Sequence, residues 1–282
     1  LIKVWVLAPH LVTGDTNIEY YYDFTQSISE YEKTFTELGI EWKWQPVTTG
    51  NYKEIIDGIA AASENFFPVV LNLCDGDEVN GTPGISVIHY LEEKKLCYTG
   101  ADANYYHLTT SKIVMKQAFD KYGVANAAWI GITAADENIA GIFEKVGRPL
   151  IAKPAVSGGS MGLGVKNVVS TEEELKAIIT EMYKGYRGWD FVFGGIVAEQ
   201  FIAGPEYTVL IIGSHKQPDK AFIYPPIERI FHEGLPETEK ILSYDRLWEM
   251  YENEKPIGDN EFLYNYHKPD AALVDAINKL SW

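Results

Sequence analysis

The feature that most constrains this chain is the alternation of apolar runs with helically spaced segments over its first hundred residues. Ile2–Leu7 reads as an apolar strand, and Tyr20–Leu38 carries helical spacing that ends at Gly39. Trp42–Val47 reads as a second strand and Tyr52–Ala62 as a helix. Phe67–Leu73 is continuously apolar, the pattern of a parallel strand buried on both faces. The loop Asp75–Gly84 then leads into a helix over Ile85–Lys95 and a short strand over Leu96–Thr99. Such alternation predicts an α/β fold with a parallel sheet and right-handed crossovers. A dinucleotide-binding fingerprint would put Gly-x-Gly-x-x-Gly after the first strand. Ala8-Pro-His-Leu-Val-Thr-Gly14 stands there instead, which excludes it.

The remaining pattern is less regular. Thr109–Tyr122 is expected to be a helix, with Thr110 or Ser111 near its cap and Gly123 at its end. Ala128–Ile132 reads as a strand, Ile139–Val146 as a short helix, and Pro149–Lys153 with Gly164–Val169 as a hairpin. Ser170-Thr-Glu-Glu173 has capping-box spacing and opens a helix that runs to Tyr183. Ile196–Phe201, Tyr207–Ile212 and Pro225–Ile230 are expected strands; Asp245–Glu254 and Asp270–Leu280 are expected helices.

The hairpin carries the chemistry. Its first strand, Pro149-Leu-Ile-Ala-Lys153, delivers a lysine into a turn holding Ser157, Gly158, Gly159, Ser160, Gly162 and Gly164. Four glycines between 158 and 164 are more than a tight turn needs. A second apolar strand, Val197-Ala-Glu199-Gln-Phe-Ile202, breaks at Ala203-Gly-Pro and resumes with Glu206. A cation and free N–H groups suit phosphates, an apolar slot suits a base, and a carboxylate suits a ribose diol. These parts point to ATP. A Walker-type loop and the kinase motif order are both missing. For Lys112 a solvated surface position is the competing reading, and for Glu206 the start of an exposed strand.

Composition narrows the partners. A net charge of −16 opposes nucleic acid and anionic membranes, so local lysines must hold any anionic ligand. Small molecules are the expected partners. The two cysteines, Cys74 and Cys97, end apolar runs, which predicts buried thiols and a cytoplasmic protein rather than a disulfide framework. No apolar run approaches membrane-spanning length and no leader is visible. The first residue is Leu1 rather than methionine, and residues are expected to precede it.

In this order of parts the chain resembles the ATP-grasp superfamily, and within it the D-alanine–D-alanine ligases. The resemblance runs from Phe67 to Leu247. Asp75–Gly84 and Cys97-Tyr-Thr-Gly100 are similar to the acidic-glycine loop and Pro-Tyr-Thr-Gly of those ligases. Thr110-Ser-Lys112 sits where they carry Met-Asp-Lys, and Ala152-Lys153-Pro154 matches Val-Lys-Pro. Val197–Val209 resembles their Val-Glu-Glu-Tyr-Ile-x-Gly-Arg-Glu-Leu-Thr-Val.

The resemblance implies an N-terminal parallel α/β subdomain (1–104), a central subdomain with the glycine-rich loop (105–192) and a C-terminal subdomain (193–282), clasping ATP. It implies that Lys112 and Lys153 bind phosphates beneath a loop over Ser157–Gly162. Glu199, Gln200, Phe201 and Ile202 would line the adenine, and Glu206 would take the ribose. Lys153, Ser160 and Arg246 are the implied catalytic contributors. The implied reaction is ADP-forming ligation of a carboxylate to an amine through an acyl phosphate, with ATP and Mg²⁺, in a cytoplasmic enzyme that forms a homodimer. A noncatalytic ATP-binding module and an ATP-grasp kinase are the rivals.

Three departures stand beside it. Asp15-Thr-Asn-Ile-Glu19-Tyr20-Tyr-Tyr-Asp23 has no equivalent of a substrate-placing glutamate, and Gly159 takes a serine's place. Tyr244-Asp-Arg246-Leu247-Trp248 puts leucine where a lysine is expected, with Arg246 as the neighbouring substitute. The family's Asp-x-Arg and Glu-x-Asn metal segment is expected beyond Trp282, so no metal ligand is assigned.

Overall fold

The computed structural model describes residues 1–15, 22–214, 216–258 and 261–282. They form two compact units. The first comprises Leu1–Ala118, Pro154–Gly158 and Glu181–Gly195; the second comprises Phe119–Lys153, Gly159–Thr180 and Ile196–Trp282.

The first unit is built on four strands, β1 (Ile2–Pro9), β2 (Glu41–Val47), β3 (Phe67–Asn72) and β4 (Cys97–Tyr98), in the order β2-β1-β3-β4. All its ladders are parallel, with Lys3 opposite Glu41, Ile2 opposite Phe67 and Val69 opposite Cys97. The helices α1 (Thr25–Leu38), α2 (Tyr52–Ala61), α3 (Ile85–Glu93), α4 (Ala103–Thr110) and α5 (Lys112–Tyr122) follow in chain order. Side chains of a strand alternate between faces, and β1 divides accordingly. Trp5 and Leu7 pack with Val47, Ile56, Ile59, Val70, Val87 and Leu91. Val4 and Val6 pack with Phe35, beside Tyr31, Trp42 and Trp44. Truncating a fully buried Leu7 or Ile56 to alanine costs about 2–5 kcal/mol, so this core fixes the sheet.

Several expectations need correction here. The first helix begins at Thr25 rather than Tyr20, and Glu19, Tyr20 and Tyr21 lie outside the described residues. The helix expected over Thr109–Tyr122 is two helices, because Ser111 is extended (φ −101°, ψ 121°) and separates α4 from α5. Asp102 caps α4 by accepting from Tyr105 N. Cys74 is buried as expected, and burial pushes its thiol up to about 12. Cys97 is exposed instead, since β4 is the edge strand.

The second unit holds a four-stranded sheet of β5 (Trp129–Ile132), β6 (Leu150–Pro154), β7 (Val168–Val169) and β8 (Ile196–Gln200), ordered β5-β8-β6-β7. The β5–β8 and β6–β7 ladders are antiparallel. Helices α6 (Ile142–Val146) and α7 (Glu172–Met182) contribute Ile142, Phe143, Val146, Leu175 and Ile179 to the core with Leu150, Ile151 and Ile196. A second, antiparallel sheet, β13-β12-β9, joins β9 (Glu206–Thr208), β12 (Ile227–Phe231) and β13 (Tyr264–His267). A small ladder pairs β10 (Ile211–Ile212) with β11 (Phe222–Ile223). Helices α8 (Tyr244–Leu247) and α9 (Ala271–Ser281) complete the unit.

The hairpin is real but shorter than expected, since Val165–Asn167 is a 3-10 turn and only Val168–Val169 pairs with β6. The helix read as starting at Ser170-Thr-Glu-Glu173 is capped one residue later. Thr171 Oγ1 accepts from Glu174 N, and Glu174 Oε2 accepts from Ser170 N and Thr171 N. The helix expected over Asp245–Glu254 ends at Leu247, and strand β13 was not expected.

Candidate functional site

The acidic-glycine loop of the first unit is a bracket closed on itself. Gly76 and Gly84 form an isolated bridge, and Gly76 N donates to Pro83 O at 2.9 Å. A Cβ on Gly84 would lie 1.9 Å from Gly76 O, so only glycine fits. Glu78 caps α3, its Oε1 accepting from Gly84 N and Ser86 N and its Oε2 from Ser86 Oγ at 2.8 Å. Tyr106 Oη donates to Gly76 O. Burial raises both the Tyr106 phenol and the neighbouring Asp75 carboxyl.

Lys112, Ser157 and Gly158 also belong to the first unit. Lys112 opens α5, and its N–H donates to Ala155 O at 2.8 Å. Its ammonium donates to Ser157 O at 3.1 Å and Ser157 Oγ at 3.2 Å. The lysine and the first serine of the glycine-rich turn are therefore brought together. A cation set at the first turn of a helix, beside a backbone with a glycine at 158 where added bulk meets nothing, suits an anion.

The second unit gathers the rest. Lys153 on β6 faces Glu199 on β8, with Nζ 2.6 Å from Oε1 and both side chains mostly covered. An ammonium so placed needs a fixed partner, because a lone covered charge is costly. Gln200 N donates to Ala128 O and Phe201 N to Pro149 O, which ends the sheet here. The chain then leaves the strand, and Ile202 is exposed. Glu206 opens β9 directly opposite Arg229, whose Nη1 donates to Glu206 Oε2 at 2.8 Å. Arg229 in turn lies over the Tyr264 ring, 5.0 Å from its centroid. Neither Arg229 nor β13 was foreseen.

The glycine-rich turn continues through Gly159 (φ 54°), Ser160 (φ 60°) and Gly162 (φ 75°), three left-handed positions of which glycine holds two. Ser160 Oγ donates to Leu242 O at 2.6 Å, and Trp248 Nε1 donates to Gly159 O at 2.8 Å. Asn167, fully buried, donates through Nδ2 to Ala152 O and Gly162 O and accepts from Gly164 N. The turn is thereby tied to the residue before Lys153. Arg246 points away from this role as a free cation. It is almost fully buried between Glu239 and Glu254, each 2.9 Å away. Among the described residues no group of three or more His, Cys, Asp or Glu gathers to hold a metal ion. No helix among them is long and apolar enough to cross a membrane.

Residues 118–244 match the family model described as D-ala D-ala ligase C-terminus. This segment is similar to the D-alanine–D-alanine ligases, and the chain shares their fold. A D-alanine–D-alanine ligase of Moorella thermoacetica is 31% identical over 186 residues, 63% of this chain and 54% of that protein. One of Xanthomonas axonopodis is 29% identical over 169 residues, 58% of this chain and 50% of that protein. The chain thus spans about half the length of the curated relatives it matches. The D-alanine–D-alanine ligase of Bacillus anthracis superposes with a TM-score of 0.61 at 18% identity, over 100% of this chain and 77% of that one. Its complex with ATP gives 0.60 at 16% identity, over 99% and 76%. D-alanyl-alanine synthetase A of Vibrio cholerae gives 0.61 at 15%, over 99% and 79%. The matched family segment holds Lys153, Ser160, Glu199, Gln200, Phe201, Ile202 and Glu206, and ends at Tyr244, two residues before Arg246.

Proposed function

We propose that this chain is the nucleotide-holding part of an ADP-forming ligase that joins a carboxylate, of an amino acid or peptide, to an amine. The observation that carries the reading is the Lys153–Glu199 pair, 2.6 Å apart on adjacent strands at the mouth of the glycine-rich turn. Such a pair presents an ammonium to phosphate oxygens and an anionic acceptor to the amino edge of adenine. Lys112 and Ser157 are proposed phosphate contacts, and Gly158, Gly159, Ser160 and Gly162 are proposed to supply N–H groups. Gln200, Phe201 and Ile202 are proposed to line the base, and Glu206 the ribose hydroxyls. Arg246 is proposed to act through the residues that hold it rather than by touching phosphate.

In the reaction, a carboxylate oxygen of the first substrate attacks the γ-phosphorus and ADP leaves. The amine nitrogen then attacks the acyl carbon, phosphate departs, and the nitrogen loses a proton. The protein's contribution is to offset phosphoryl charge with preorganised cations and N–H groups and to keep water from the acyl phosphate. Mg²⁺ is proposed as the ion that accompanies ATP and neutralises its phosphates. Among the described residues no group of three or more His, Cys, Asp or Glu gathers, and no step is routed through the ion.

The proposal extends to a cytoplasmic setting and small-molecule partners without nucleic acid or membrane, supported by the net charge of −16. A homodimer and the functional segments 1–104, 105–192 and 193–282 belong to the same proposal. The test is product analysis with candidate amino acids in pairs. ADP and phosphate are expected only when both substrates are present, and hydroxylamine should capture a hydroxamate. AMP and pyrophosphate would overturn it.

A further inference from the structure

The second unit carries a buried carboxylate that the proposed chemistry does not use. Glu254 lies seven residues beyond the end of α8, and its side chain is about nine-tenths covered. Its Oε1 accepts from Val165 N at 2.8 Å, directly after the glycine-rich turn. Its Oε2 accepts from Ser243 Oγ at 2.7 Å and lies 2.9 Å from Arg246 Nε. One carboxylate therefore joins the end of the turn, the cap of α8 and a buried guanidinium.

The anchorage of Glu254 is itself over-determined. Asp245, buried, accepts through Oδ2 from Asn253 N at 2.6 Å and Glu254 N at 2.8 Å. Ser243 Oγ also accepts from Arg246 N, and Arg246 is clamped on its far side by Glu239. The same segment reaches the turn at three further points: Leu242 O to Ser160 Oγ, Trp248 Nε1 to Gly159 O, and Tyr244 N to Leu163 O at 2.8 Å. Space at Gly164 agrees, since an added Cβ would stand 3.3 Å from Glu254 Oε1. A turn with three left-handed residues gains order from external partners, and Glu254 is the charged acceptor among them.

We propose that Glu254, charged and held by Arg246, is the positioning residue that sets the glycine-rich turn for nucleotide phosphates. This rests on the nucleotide reading above. It gives Arg246 a task two contacts away from any ligand, and it accounts for a leucine at 247 beside an arginine that faces inward.

Two variants separate this role from general scaffolding. Glu254→Gln keeps the shape and removes the charge. Val165→Pro removes the donated N–H and leaves the Glu254 side chain unchanged. Proline is tolerated there because Val165 opens a 3-10 turn and Gly164 before it is extended (φ −135°, ψ 173°). Amide exchange at Leu163 and neighbouring turn residues should accelerate about tenfold or more in both variants, with Gln200 N in β8 unaffected. ATP affinity by calorimetry should fall about tenfold in both. Unchanged exchange at Leu163, or equal acceleration at Leu163 and Gln200, overturns the role. Faster exchange with ATP affinity unchanged overturns it as well. A native chain that binds no ATP while the variants still loosen the turn alone would place the failure in the nucleotide reading, and the positioning role for phosphate would fall with it.

Discussion

Glu206 shows how one residue can look ordinary in the sequence and specific in the fold. Its position at the start of β9 sets it opposite Arg229, which takes Oε2. The half-exposed carboxylate keeps Oε1 for another donor. A ribose diol offers two hydroxyls, and a charged carboxylate accepts them best. Glu206→Gln should weaken ATP binding about tenfold and weaken binding of a nucleotide lacking both ribose hydroxyls much less. Calorimetry with the two nucleotides measures this, and equal losses would remove Glu206 from the ribose. Lys153, Glu199 and Glu206 were candidates in the sequence because each sits at a fixed offset from an apolar strand or a glycine run, and Lys112 because it sits at a helix start. Arg229, Asn167 and Glu254 were not. Their partners lie 23, 15 and 89 residues away, and no local period marks such contacts.

At the scale of elements, the parallel strands of the first unit followed from their apolar runs almost residue for residue, since burial on both faces leaves a strong signal. Turns were harder. The segment Gly164–Val169 reads as a strand by composition, yet Asn167 makes it a 3-10 turn by satisfying three backbone groups. Asparagine is depleted in strands, and that was the signal available. Asn167→Ala should cost about 2–3 kcal/mol in chemical denaturation, because Ala152 O and Gly162 O lose a donor and Gly164 N an acceptor. A loss below half a kilocalorie, roughly the level of a surface substitution, would mean that water replaces the amide without cost. Ser111 splits a helix for a related reason. An extended residue there lets Lys112 begin a new helix with its N–H on Ala155 O, which no periodicity foretells.

At the scale of the whole molecule, a chain of net charge −16 has to bind a polyanion against its own field. The account answers with local cations on each unit: Lys112 beside Ser157 in the first and Lys153 beside Glu199 in the second. It also follows that each such cation carries a large share of the affinity, which makes Lys153 the place to test the central claim. Losing a charge-assisted contact to phosphate costs about 1.5–3 kcal/mol, or ten- to a hundredfold in affinity. Calorimetric titration of ATP into the native chain and into Lys153→Ala is the most direct measurement. The expected result is binding by the native chain and a ten- to hundredfold weaker constant in the folded variant, whose denaturation midpoint falls because the covered Glu199 loses its ammonium partner. Equal affinities in the two proteins would contradict it.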